Sequence, residues 1–430
     1  MTNWSDSLQA VERLGHIEQC LGLRLVANGP PQAFVGELCD ILDAQNRPLL
    51  QAEVTGFDKT QVYLMPLSST PVSPGFKVRA SGRGMSVAVS DALCGRIIDA
   101  LGQPLDDGGR LHSHQRVSLH KNKTNPLHRQ RISDRLSTGI HAIDSLLPIG
   151  KGQRVGLFAG SGVGKSVLLG MMAKHMDSDI NVIALIGERG REVKDFIHHH
   201  LDADTLAKSI VVVACSDDFA LMRKQAAYTA TAIAEYFCNQ GKDVMLFMDS
   251  ITRFAMAQRE IGLSIGEPPT ARGYTPSVFS LLPGLVERAG NFENKGSITA
   301  LYTVLVEGDD FNEPIADTVR SLLDGHIVLT RELAQRGHYP AIDVLQSVSR
   351  LASHLSNPEE QQLMRQVIAL LSLYRQNRDL IELGAWQAGH NPKLDFAVQR
   401  IDAIQQLLTQ SMHESQTRDA VMSQLQDLMQ

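Results

Sequence analysis

The segment AGSGVGKS, residues 159–166, constrains the chain more than any other. It matches the phosphate-loop pattern, with Ala159 where the first glycine is usually written. An apolar run from Arg154 to Phe158 precedes it, and the helix-forming VLLGMMAKHM follows. Gly160, Gly162 and Gly164 let the backbone wrap so that its N–H groups converge on phosphate oxygens. The helix N-terminus adds partial positive charge. With Ser161, Val163 and Val167 these glycines form the expected nucleotide cradle. Lys165 is placed to reach the β- and γ-phosphates, and the Ser166 hydroxyl to ligate Mg²⁺. ATP and Mg²⁺ are therefore the expected ligands.

Such a loop belongs to a parallel sheet, and the sequence supplies one. RVGLFA, INVIALI, SIVVVA, DVMLFMD and SITALYTVLV are near-continuous apolar runs, as in strands buried on both faces. Helical stretches alternate with them. The clearest reads from an N-cap at Ser216 through MRKQAAYTATAIAEYF to a stop near Gly241. This alternation predicts a doubly wound α/β domain over residues 93–350. Upstream, short apolar runs separated by Pro, Gly, Asn and Asp predict a small β-barrel over 24–92. Downstream, 351–430 is leucine-rich and broken by Pro358, Gly384, Gly389 and Pro392, which predicts a helical domain. Residues 1–23 place Leu8, Val11, Leu14 and Ile17 at three-residue steps, the mark of a short amphipathic helix outside these cores.

Two acids end apolar strands. Asp249 closes DVMLFMD and reads either as a turn acid or as a ligand on the magnesium side of the site. Glu188 closes INVIALIGE, with Arg189 and Arg191 after it. At a strand's carboxyl end, where open α/β sheets bind ligands, Glu188 can polarise an attacking water. A surface ion pair is the alternative.

Composition narrows the class. The formal charge is −6 and the pI about 6.2, so no whole-chain field attracts nucleic acid. The five cysteines form no C-x-x-C pair and read as free thiols of a reducing compartment. No apolar run approaches the roughly 20 residues that span a bilayer. A cytoplasmic protein with peripheral membrane contact only is expected. His198, His199 and His200 are consecutive and point in different directions on a helix, so they read as a solvated face. His112, His114 and the basic stretch 126–135 read as connectors.

Taken together, AGSGVGKS, IGERGREV, the strand ending MDS, and PAIDVLQSVSR resemble the catalytic subunits of rotary ATP synthases. AMAQREIGLSIGEPP, PSVFSLLPGLVERAGN, VLVEGDDFNEPIADT and DGHIVLTREL are similar to the type III protein export ATPases of that family, and LLPIGKGQR and GKSVLLGMMA look flagellar. The resemblance implies a RecA-like P-loop core with an N-terminal β-barrel and a C-terminal helical domain. It implies Glu188 as the catalytic glutamate, Arg189 as a phosphate-contacting arginine and Asp249 as the magnesium-side acid. It further implies Arg253 as a site arginine, Tyr339 as the aromatic packed on adenine, and Arg350 as an arginine entering a neighbouring subunit's site. One chain then carries both halves of a site, which implies a homohexamer. The implied partners are a stator-like regulator, a central stalk protein, the export gate at the inner membrane, and export substrates with their chaperones. The injectisome ATPase is the close alternative. A rotary synthase head subunit, an RNA translocase and a non-catalytic nucleotide-binding scaffold fit less well. The acidic balance and the sparse basic and aromatic residues of the barrel region argue against RNA.

Overall fold

The computed structural model describes residues 14–430 except 112, 114, 121–124, 307 and 309. Six strands close a barrel at the N-terminal end: β1 (Leu14–Leu21), β2 (Arg24–Asn28), β3 (Glu37–Leu42), β4 (Pro48–Asp58), β5 (Gln61–Pro66) and β6 (Lys77–Gly84). They are ordered β1-β2-β5-β4-β3-β6 around it, and β6 pairs back onto β1. Ile17, Ala27, Ile41, Val54, Leu64 and Val78 fill the interior.

The amphipathic helix expected for residues 1–23 falls partly on residues 1–13, outside the described residues. Its remainder is corrected: Leu14–Leu21 is a barrel strand, paired with β2 on one side and β6 on the other. The register slips between Ile17 and Gln19. Gly15 and Ile17 are the buried positions ahead of that slip, and a glycine offers no apolar side chain, so the sequence shows the three-residue step from Leu14 to Ile17 in place of a strand's alternation.

The central sheet has nine strands. Its principal members are β7 (Ile97–Asp99), β8 (Arg154–Ala159), β9 (Ile180–Glu188), β10 (Ser209–Cys215), β11 (Val244–Asp249), β12 (Ser297–Leu305), β13 (Gly325–Leu329) and β14 (Val348–Ser349). The order is β14-β13-β8-β12-β11-β9-β10-β7, parallel from β13 to β7, with β14 antiparallel at one edge. The short strand Gly290–Asn291 pairs with β12 off this path. Helices α1 (Lys165–His175) and α2 (Gly190–His200) follow β8 and β9. Then come α3 (Ala220–Asn239), α4 (Ile251–Ile265), α5 (Pro276–Val286) and α6 (Pro314–Leu322). The expected N-cap at Ser216 is corrected to Phe219. Residues 216–219 form a turn in which Asp218 Oδ2 accepts from the Cys215 N–H.

Each sheet face carries a core. One joins β9 to β12 with α3, α4 and α5, and takes in Met65 and Leu67 from the barrel's end. The other packs α1 against α7 (Pro358–Glu382), α8 (Pro392–Leu408) and α9 (Arg418–Leu428), so Leu168 and Met172 share a cluster with Val367, Ile404 and Leu425. The C-terminal helices therefore cover the face that carries the phosphate-loop helix. Each such fully buried aliphatic side chain is worth roughly 1.5–3 kcal/mol.

Ile17 provides the check on the corrected N-terminus. It is 2% exposed inside the barrel. Ile17→Ala should cost ~2–4 kcal/mol and lower the denaturation midpoint. An unchanged midpoint would mean that the segment is a dispensable docked element.

Candidate active site

β8 delivers the chain to the phosphate loop. Gly162 and Gly164 hold φ of 76° and 91°, left-handed conformations that favour glycine. Gly164 then caps α1, whose first N–H groups open toward the loop. The Val163 side chain is 1% exposed and anchors the loop in the core, so that residue offers a ligand only its backbone.

Three charged groups meet beneath the loop. Lys165 Nζ donates to Asp249 Oδ1 at 2.5 Å and to Glu188 Oε1 at 3.2 Å. The parallel register dictates this: Leu185 of β9 lies level with Asp249 of β11, so both acids sit at strand carboxyl ends. Thr303 Oγ1 donates to Asp249 Oδ1 at 2.7 Å and fixes the carboxylate from β12. Asp249 is 2% exposed, and a buried carboxylate without such partners would be costly. Asp249 and Glu188 are therefore neither a turn acid nor a surface pair.

Electrostatics follow from this packing. Burial pushes the Glu188 carboxyl above its ordinary value of 4.5, the charge of Asp249 and a hydrogen bond with Glu192 add to that, and Lys165 pulls against them. Burial disfavours the Lys165 ammonium, yet Asp249 and Glu188 outweigh it and raise its pKa. A cavity of about 600 Å³ opens over this cluster, lined by the phosphate loop, Val167, Arg189, Glu192, Ser216 and Arg253. That is room for a nucleotide. Ser166 is exposed on the same wall. A hydroxyl and carboxylates are hard oxygen donors that suit Mg²⁺, which is held mainly through waters and substrate phosphates. No cluster of three or more His, Cys, Asp or Glu placed to hold a metal ion exists among the described residues.

The remaining expected residues divide by position. Arg253, one turn into α4, packs against Gly187, and its backbone N–H bonds Ser250 Oγ. Arg189 caps α2 with its side chain 81% exposed at the rim, paired with Glu192 at 3.3 Å. Tyr339 is 45% exposed, and its ring lies over the loop: a Cβ built on Gly164 would sit 3.5 Å from it. Arg350 is apart. It follows β14, and its N–H bonds Asp324 O at the amino end of β13, level with Arg154. The phosphate loop starts after Ala159 at the opposite end of β8. At ~3.3 Å per residue, about 17 Å of strand separates the two. Glu192 and Thr303 escaped the sequence reading. Both are common polar residues inside regular elements, and only the fold brings them to the acids. Of the consecutive histidines of α2, His198 and His199 are exposed as expected of a solvated face, but His200 turns inward against Phe196.

Comparisons with known proteins give the family and the fold. Residues 139–349 match the ATP synthase alpha/beta family, nucleotide-binding domain, and 356–427 match the T3SS EscN ATPase C-terminal domain. The chain is 50% identical to the flagellum-specific ATP synthase of Bacillus subtilis, covering 94% of this chain and 92% of that one. It is 45% identical to the type 3 secretion system ATPase of Xanthomonas euvesicatoria, covering 94% and 91%. Two solved structures of the assembled ATPase EscN from enteropathogenic E. coli superpose with TM-scores of 0.92 and 0.89. Each is 42% identical and covers 97% of this chain and all of that one; the second is in complex with its central stalk EscO.

Two outcomes test the site. Glu188→Gln should keep nucleotide binding but slow single-turnover cleavage by ~10²–10⁴-fold, the usual contribution of a positioned base. Equal loss of binding and cleavage would make Glu188 structural. Because the carboxyl must be ionised to activate water and its pKa is raised, kcat/KM should fall with decreasing pH through a limb above 4.5. A profile flat down to 4.5 would contradict the placement.

Proposed function

We propose that this chain, which belongs to the type III export ATPases of the ATP synthase alpha/beta family, hydrolyses Mg-ATP in a homohexameric ring to energise type III protein export, that of flagellar axial proteins above all. The observation that carries the reading is the joining of Lys165, Glu188 and Asp249 under one phosphate loop. In the nucleotide complex the loop N–H groups and Lys165 hold the β- and γ-phosphates, and Glu188 orients and deprotonates the attacking water. Arg189 and Arg253 meet the transferred phosphoryl oxygens, and Tyr339 packs on the adenine. Ser166 and Asp249, the latter through water, would hold Mg²⁺, which neutralises phosphate charge during transfer.

Arg350 supports the ring. It lies at the wrong end of the sheet to reach its own phosphate loop, so it serves a neighbour. A finger of this kind contributes about 10³–10⁵ in rate. The ring contact is heterologous and must close. A central stalk fits this reading, since a family member with 42% identity is solved with one. A stator-like regulator, export substrates with their chaperones, and an inner-membrane gate are proposed as the other partners. No described helix is long and apolar enough to cross a membrane, which fits a cytoplasmic enzyme that meets the gate peripherally.

Mixing variants tests catalysis across subunits. Arg350→Ala and Lys165→Ala chains should each be inactive, and co-assembled rings should regain part of the wild-type rate across interfaces pairing intact Lys165 with a neighbour's intact Arg350. Full activity of the Arg350 variant alone would sink the model. The export role is tested in a motile bacterium lacking its own flagellar ATPase: this chain should restore secretion of hook and filament proteins, and Lys165→Ala should not. Restoration of needle-type secretion alone would favour the injectisome.

A further inference from the structure

A second cavity, of about 580 Å³, adjoins the nucleotide site. It lies beyond the carboxyl ends of β8, β12 and β13, where Ala159, Leu305 and Arg331 line it. It shares Ser161, Arg253 and Leu305 with the nucleotide cavity, so the two chambers meet where the γ-phosphate would lie. Four arginines face it: Arg253, Arg259, Arg272 and Arg331. Glu313 is the one carboxylate among the described lining residues.

Arg253 and Arg259 are half-buried, and Arg272 and Arg331 are exposed at the cavity's mouth. Elsewhere partly buried arginines meet carboxylates: Arg96 with Asp106, Arg154 with Asp324, Arg288 with Glu235. In the cavity Arg272 pairs with Asp310 at 2.5 Å. Arg259 lies over the Tyr274 ring at 5.1 Å. Neither Arg259 nor Arg331 has an ion-pair partner among the described residues. Arg253 Nε is buried without a hydrogen-bond partner. The arginine fork matches tetrahedral oxyanions, and a buried donor left unpaired, as Arg253 Nε is, is costly. A chamber with this lining fits a small multivalent anion.

The structure assigns this chamber, we propose, as a holding site for inorganic phosphate, the hydrolysis product, between the γ-phosphate position and solvent. The assignment rests on the ATPase reading above. Arg253 faces both chambers and hands the product on, and Arg259 and Arg331 receive it. Separation from ADP then proceeds toward positive charge rather than back past the β-phosphate. Neither Arg259 nor Arg331 touches the nucleotide cavity, so their effect falls on phosphate and leaves ATP largely alone.

The test uses the full-length ring. ADP-loaded wild-type protein should bind radiolabelled inorganic phosphate in equilibrium dialysis, with sulfate displacing it. Arg259→Gln and Arg331→Gln should each weaken this binding at least fivefold, and likewise the inhibition of steady-state hydrolysis by added phosphate. The KM for ATP should stay within twofold. Arg259→Lys and Arg331→Lys, which keep the charge, should retain most of the phosphate affinity and guard against a misfolded glutamine variant. Absence of phosphate binding to the wild type overturns the assignment, as does unchanged affinity in folded Gln variants. Dissociation of the ring by those variants with phosphate affinity intact also overturns it, because the arginines would then hold a neighbouring copy. If the wild type binds phosphate but hydrolyses no ATP, the catalytic reading fails instead.

Discussion

The parallel register of β8, β9 and β11 is the constraint on which the rest of this molecule depends. It places the phosphate loop and two carboxylates at one end of the sheet, where a single lysine bridges them. Three charges in a site this enclosed are tolerable only because each has a partner. Asp249 has Lys165 and Thr303, and Glu188 has Lys165 and Glu192. The same arrangement prepares the chemistry. Glu188, the proposed base, has its affinity for a proton raised by burial, while Asp249, proposed for the metal side, is pinned by the Thr303 hydroxyl. One sheet thus gives two carboxylates different environments and different roles.

The flanking regions are tied to this sheet by polar contacts as well as apolar ones. At the barrel's end, buried Glu53 accepts from Gln225 of α3 and lies 3.7 Å from Lys224. At the other end Gln410, just past α8, bonds Gly139 and His141, and its N–H reaches the carbonyl of Tyr339. A buried side-chain amide satisfied at both ends fixes a position that apolar packing alone would leave free to slide. The Tyr339 ring over the loop is therefore joined to the helical region by one hydrogen bond.

Much of this was legible in the sequence because the phosphate loop and the strand-ending acids are local signals. A glycine pattern between an apolar run and a helix specifies its own geometry, and a charge that ends a buried strand must lie at the sheet's edge. The α/β core and the helical C-terminal region followed from periodicity alone. What stayed hidden was non-local. The first barrel strand was obscured because one of its inward positions is Gly15, and its identity comes from pairing with β2 and β6 rather than from its own spacing. Thr303 and Glu192 became site residues only through the register that brings β12 and α2 to the acids. Arg259 and Arg331 lie 72 positions apart in sequence, and nothing in either segment announces that they line one cavity.

The placement of Arg350 carries the argument from subunit to assembly. It ends a two-residue edge strand whose antiparallel pairing with β13 turns it toward the amino ends of the parallel strands. An arginine there would be an ordinary surface residue if the protein acted alone; among the described residues its side chain hydrogen-bonds the Arg320 carbonyl, at 3.3 Å. A chain with its phosphate loop at one end of the sheet and this exposed cation at the other is polar in a specific sense. In the proposed ring each copy presents a donor to one neighbour and an acceptor to the next. Head-to-tail contacts of this kind satisfy every site only when they close, since an open chain leaves one phosphate loop without its arginine and one arginine without a site. On that proposal closure and catalytic completeness are one requirement, and the direction in which β14 runs is the feature of the chain that supports it.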